Sequence, residues 1–95
     1  MRKVAVLPSF ERSLNKLSPS QRKQLTESLH AFNHFLATGE LLPALGFKKI
    51  DRDKYEFRVD IRLRVVLKAE GDTFYLIFVG SHEDVKRYLK KFRQA

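Results

Sequence analysis

Within residues 54–68, KYEFRVDIRLRVVLK, four charged side chains recur at alternate positions: Glu56 and Arg58, then Arg62 and Arg64. Further along, VGSHEDVKRYLKKF sets His82 where an apolar segment meets a helix start. A carboxylate, several guanidiniums and an imidazole are the groups that metal-free cleavage of RNA uses. Attack by the ribose 2′-hydroxyl needs a base, and the departing 5′-oxygen needs an acid. Charge building on the phosphate needs fixed cations around it. Glu56 or His82 can be the base. His82 can be the acid, because imidazole titrates near working pH. Arg58 and Arg64 can grip the phosphate through paired N–H donors. Lys48, Lys49, Lys54, Arg62, Lys86 and Lys90 supply positive charge of the kind that holds a nucleic-acid backbone without reading its sequence.

Each feature also has a plainer reading. Alternating charge on a strand is commonly its wetted face, and Glu56 with a cross-strand arginine is then an ordinary ion pair. A histidine at a helix start is commonly a surface residue. The basic positions of the last helix, from Lys86 to Arg93, also read as a solvated face. His30 and His34 stand four apart, a spacing that can hold zinc on a helix. The run there is HAFNH rather than HExxH, so two exposed histidines are expected and no metal. Without cysteine there is no thiol nucleophile, thiolate metal site or disulfide. The glycines are isolated and form no phosphate-binding loop, so no cofactor is expected.

The elements that must position these groups follow from periodicity. Residues 3–7, KVAVL, read as a first strand. Pro8 and Ser9 open a helix whose Phe10, Leu14 and Leu17 share a face, ending at Ser18-Pro19 because a residue before proline avoids helical angles. Ser18 then caps a second helix, with Pro19 in its first turn and Gln21 completing a capping box. Leu25, Leu29, Phe32 and Leu36 are its apolar stripe, and Gly39 its stop. GFKKI is a short strand or an extended lead-in. Tyr55, Phe57 and Val59 alternate with Glu56 and Arg58. After a turn at Asp60, Ile61, Leu63, Val65 and Leu67 alternate with Arg62, Arg64, Val66 and Lys68. Gly71-Asp72 marks a hairpin, and TFYLIFV, apolar on both faces, a central strand. Ser81 and Asp84 cap a last helix striped by Val85, Leu89 and Phe92. The spacing predicts a β-α-α-β-β-β-α order. This is an α+β fold with a mostly antiparallel sheet, a helical pair on one face and a C-terminal helix.

The chain has 95 residues and reads as a single domain, 1–95. Its net charge is +8, from 19 basic and 11 acidic residues, which favours anionic partners. No apolar run approaches the roughly 18 residues of a membrane span, so no membrane partner is expected. The N-terminal apolar stretch is shorter than a secretory core, which predicts a cytoplasmic location.

The segment YEFRVDIRLRVVLKAEGDTFYLIFVGSHEDVKRYL resembles the second half of the RelE/ParE toxin superfamily. The shared pattern is a Tyr-x-x-Arg-Val strand, a turn, an Arg-Val strand, an acidic hairpin, and an apolar strand ending in Gly-x-His or Gly-x-Arg. LPSFERSLNKLSP is similar to the opening strand and helix pair, so the likeness covers nearly the whole chain. It implies a compact RelE-like toxin wrapped by an acidic antitoxin protein in a hetero-oligomeric complex. The RelE-type branch cleaves mRNA in the ribosome without a metal. The ParE-type branch inhibits DNA gyrase instead, and a basic RNA-binding module without catalysis is a third expectation. Position by position, Arg64 matches a phosphate-binding arginine and Arg58 a basic position on the preceding strand. His82 falls where members place a catalytic arginine or histidine. The chain departs from the pattern at Lys86, where members often have a tyrosine. Tyr88 lies two positions further on. Glu56 stands where several nucleases carry lysine.

Overall fold

A computed structural model describes residues 2–93, with side chains through residue 91. The expected inward placement of Phe92 therefore lies outside the described residues. Strand β1 is Lys3–Val6, followed by helices α1, Pro8–Leu14, and α2, Pro19–Thr38. After a 3-10 turn at Pro43–Leu45 come β2, Lys48–Asp51; β3, Lys54–Arg58; β4, Leu63–Glu70; and β5, Thr73–Ser81. Helix α3, His82–Arg93, closes the order. GFKKI thus contributes a true strand, and the sheet has five strands in the order β1-β5-β4-β3-β2. All neighbours are antiparallel except β1, which runs parallel to β5. The expected α+β architecture is present.

Period-2 alternation decides which side of the sheet meets the helices. Phe57, Val65, Leu67, Phe74, Leu76 and Val79 turn to one side and join Phe10, Leu25 and Phe32 in the core. Phe32 of α2 is fully buried, with its ring 4.9 Å from Phe57, 5.5 Å from Phe74 and 5.7 Å from Phe47. Each such ring pair adds to what Phe32 gains from the area it buries. A register shift between Val66 and Leu67 skips Ile77, a bulge on β5. The bulge leaves the Ile77 carbonyl outside the ladder, and the Ser9 hydroxyl of α1 donates to it. Ser13 accepts from the Val79 N–H at 3.0 Å, so α1 is pinned to β5 at two points.

Helix boundaries follow their caps. Ser18 Oγ accepts from the Gln21 N–H at 3.2 Å while the Gln21 side chain accepts from the Ser18 N–H at 2.9 Å, the predicted capping box. Gly39 ends α2 in the left-handed region, φ 78°, where a side chain would be strained. Helix α1 is shorter than predicted. It stops at Leu14, and Lys16 and Leu17 bond three residues back, tightening the chain into the reversal before Pro19.

Candidate functional site

The other side of the sheet carries the charged positions. Register sets Lys48 opposite Glu56, Glu56 opposite Val66, Arg58 opposite Arg64, and Arg64 opposite Gly80. Opposed residues share a face, and diagonal ones stay within reach of long side chains. Helix α3 covers the β4–β5 end of this outer face, burying Val85 and setting the Tyr88 ring 5.2 Å from Phe78.

Glu56 and Arg64 form the centre. Glu56 is only 4% exposed. Its Oε2 lies 3.4 Å from Arg64 Nε, and its Oε1 lies 3.8 Å from Lys48 Nζ on the edge strand. Oε2 accepts no hydrogen bond, so the contact with Arg64 is one of charge rather than of aligned donor and acceptor. Arg64 Nη1 donates to the backbone carbonyls of Asp60, at 2.8 Å, and Leu63, at 3.2 Å. The guanidinium is thus fixed by the turn before β4 and by the carboxylate beside it. A buried carboxylate needs such cations, because burial without a counter-ion costs several kcal/mol. Glu56 is placed as the counter-ion of Arg64 rather than as an open base.

His82 is the first residue of α3, with an exposed imidazole that makes no hydrogen bond or ion pair to another described residue. Its place is set by the cap. Asp84 Oδ2 accepts from the Ser81 N–H and hydroxyl, each at 2.9 Å, and the Asp84 N–H donates to Ser81 Oγ at 3.1 Å. These hydrogen bonds, with Arg87 beside them, hold the Asp84 carboxyl below its ordinary value. Gly80 makes this possible. A Cβ there would stand 2.8 Å from Asp84 Oδ2 and 3.0 Å from Asp84 Cβ. His82 therefore starts two residues beyond the point facing Arg64.

The remaining predicted residues are not all brought together. Arg58 is exposed and lies over Gly46, within 3.6 Å of where a Cβ would be. It lines a small cavity with Gln24, Glu27 and Ser28 instead of joining Arg64. Arg62 is not on a strand. Asp60 Oδ1 accepts from the Arg62 and Leu63 N–H groups, both at 2.7 Å, so residues 59–62 turn. Ile61, expected to face inward, is 85% exposed for the same reason. Lys54 is 5% exposed and its ammonium donates to Asp53 at 2.7 Å, which removes it from the open cations and holds the Asp53 carboxyl low. Lys48, Lys49, Lys86 and Lys90 are exposed, with Lys86 3.7 Å from Glu83. His34 lies 3.8 Å from Glu40, and among the described residues no three His, Asp or Glu side chains gather to hold a metal.

Sequence reasoning missed a groove of about 580 Å³ between the α1–α2 junction and α3. Its floor includes Leu17, Leu63, Phe78 and Tyr88, and its walls carry Lys16, Arg87 and Lys91. No local signal joins residues 13–21 to residues 78–91. The meeting depends on how α1 and α3 flank β5.

Among the described residues no helix is long and apolar enough to cross a membrane. No protein-family model matches the sequence, and no curated protein matches it. Solved structures do. The RelB–RelE antitoxin–toxin complex from Methanococcus jannaschii contains a chain 19% identical, covering 88% of this chain and 96% of that one, with a TM-score of 0.67. A metal-bound toxin from Helicobacter pylori is 20% identical, covering 90% and 99%, with a TM-score of 0.66. The DinJ–YafQ complex from E. coli contains a chain 11% identical, covering 90% and 98%, also with a TM-score of 0.66. At these identities the likeness is one of fold, and the fold of this chain is that of the RelE-type toxins.

Proposed function

We propose that this chain is the toxin of a type II toxin–antitoxin system, a cytoplasmic endoribonuclease that cuts mRNA on the ribosome without a metal. The observation that carries the reading is the outer sheet face. There Arg64 is held rigid opposite Gly80, and the exposed imidazole of His82 begins two residues further on. A fixed guanidinium costs no reorganisation when charge builds on a phosphate. A free imidazole can take or give the proton. In this reading His82 is the general acid or base and Arg64 stabilises the phosphate. Arg58 reaches it only by leaving Gly46, and Lys48, Lys49, Lys86 and Lys90 track the backbone.

The fold supports the toxin assignment, because the RelE and YafQ chains of the same fold occur in complexes with antitoxins. An acidic antitoxin is the partner that a chain of net charge +8 would take. The groove walled by Lys16, Arg87 and Lys91 is one surface suited to it. Co-expression with a small acidic protein encoded next to this chain should relieve growth arrest, and arrest persisting with every such neighbour would count against the pairing.

Primer extension on translated message tests the nuclease. The wild type should cut, and His82→Ala and Arg64→Ala should each lose about a hundredfold or more, as expected for a general acid–base group or a charge-stabilising donor. Equal cutting by all three would remove both assignments. A second reading, gyrase inhibition of ParE type, is favoured by one observation: Arg64 is engaged by Glu56 and two carbonyls, while Arg58 turns elsewhere. Blocked supercoiling with translation intact would establish that reading. RNA binding without product from any message would leave a non-catalytic module.

A further inference from the structure

These roles give Glu56 none, yet it is the charged group most deeply set in the outer face, with its side chain 6% exposed. We propose that Glu56 restrains Arg64 electrostatically: it fixes the guanidinium in place and also lowers its attraction for an incoming RNA phosphate. The inference rests on the nuclease reading only in taking RNA as the anion that Arg64 meets.

The geometry shows how both effects arise. Arg64 spends Nη1 on the Asp60 and Leu63 carbonyls and sets Nε against Glu56, while Nη2 makes no hydrogen bond among the described residues. Nη2 is the donor left for a phosphate. Such a phosphate would sit a guanidinium's width from the Glu56 carboxylate, with buried protein rather than water between them. Two anions at that separation repel, and burial weakens the screening. Glu56 also has a second cation, Lys48, at 3.8 Å, so it moderates both sheet cations at once. Its unbonded Oε2 shows that Glu56 is held mainly by charge. Neutralising it therefore takes away repulsion while breaking no hydrogen bond at that oxygen. Glu56 is a positioning residue, acting on phosphate through Arg64.

Binding, not cleavage, tests this, so loss of the nuclease reading would leave the test standing. The probe is a fluorescein-labelled single-stranded RNA oligonucleotide, titrated with the intact chain in about 50 mM salt, where phosphate contacts dominate. Glu56→Gln should bind about tenfold tighter than wild type, the size expected for removing one buried like charge from beside a bound phosphate. Glu56→Met, another neutral side chain of similar length, should do the same, and thermal melting shows whether each variant is folded. In an Arg64→Gln background the gain should shrink to about twofold or less, because the coupled residue is gone. Unchanged or weaker binding by the folded neutral variants, or no binding at all, overturns the proposal. So does a gain that survives in full without Arg64. In the unaltered chain the Arg64 Nε–H resonance should shift on adding the oligonucleotide, and a signal unmoved at saturation overturns it as well. Absence of cleavage by wild type, with the tighter binding observed, would sink the nuclease reading alone.

Discussion

Gly80→Ala is the substitution whose consequence can be worked out most fully. The added methyl would meet Asp84 Oδ2 at 2.8 Å, Cγ at 3.3 Å and Cβ at 3.0 Å, and a Cβ cannot rotate away as a chain end can. Asp84 is then driven off Ser81 and the start of α3 is pushed from the strand end. Losing an N-terminal cap costs about 1 kcal/mol. Forcing a methyl into a packed junction costs about 1–3 kcal/mol. Together about 2–4 kcal/mol is expected, from a total of roughly 5–14 kcal/mol for a chain of this size. That lowers the melting temperature by about 10–25 °C. Urea unfolding of wild type, Gly80→Ala, Asp84→Ala and the double variant isolates the cause. Asp84→Ala removes the carboxylate that the methyl strikes, so the two changes should fall short of additivity by about 1–2 kcal/mol. A neutral Gly80→Ala, or full additivity with Asp84→Ala, would refute the account of how α3, and with it His82, is seated.

Other expectations follow from burial and charge. Phe32→Ala empties the site shared by Phe47, Phe57 and Phe74. It should cost about 3–5 kcal/mol in urea unfolding, whereas Ile61→Ser, at a site 85% exposed, should change stability by no more than about 0.5 kcal/mol. Acid should loosen the start of α3. The Asp84 carboxyl is held below its ordinary value of 3.8 by hydrogen bonds from Ser81. Its contribution is full above that value and is lost as pH falls through the lower folded one, so stability measured downward from about pH 5 should fall more steeply for wild type than for Asp84→Asn.

Much of the fold was legible because its signals are local. The Ser18–Gln21 box, the Gly39 stop and the Ser81–Asp84 box each lie within a few residues and appear as read. Tyr55 and Phe57 against Glu56 and Arg58 gave the two faces of β3 from parity alone. Parity failed where a turn interrupted it. The alternation of IRLRVVL runs unbroken from Ile61, yet the Asp60 carboxylate accepts from the Arg62 and Leu63 N–H groups and holds Ile61 and Arg62 out of the sheet. Arg58 also kept its predicted parity opposite Arg64, but its side chain lies over Gly46, and Lys54 turned to Asp53, a placement that parity does not name.

The site depends on one quantity that the sequence states only indirectly, the register of β3 against β4. The turn through residues 59–62 sets it, and with it Arg58 falls opposite Arg64 and Glu56 opposite Val66. That offset makes Glu56 and Arg64 diagonal neighbours, close enough for a 3.4 Å contact. Side chains on a strand alternate with period 2, so a slip of one residue would send Arg64 into the core and Val65 to the charged face. The Asp60 carboxylate and the Arg64 bond to the Asp60 carbonyl tie the turn to its first strand residues from both sides. Asp60 thus stands outside any chemistry at the phosphate, yet it decides whether the Glu56 carboxylate meets the Arg64 guanidinium at all.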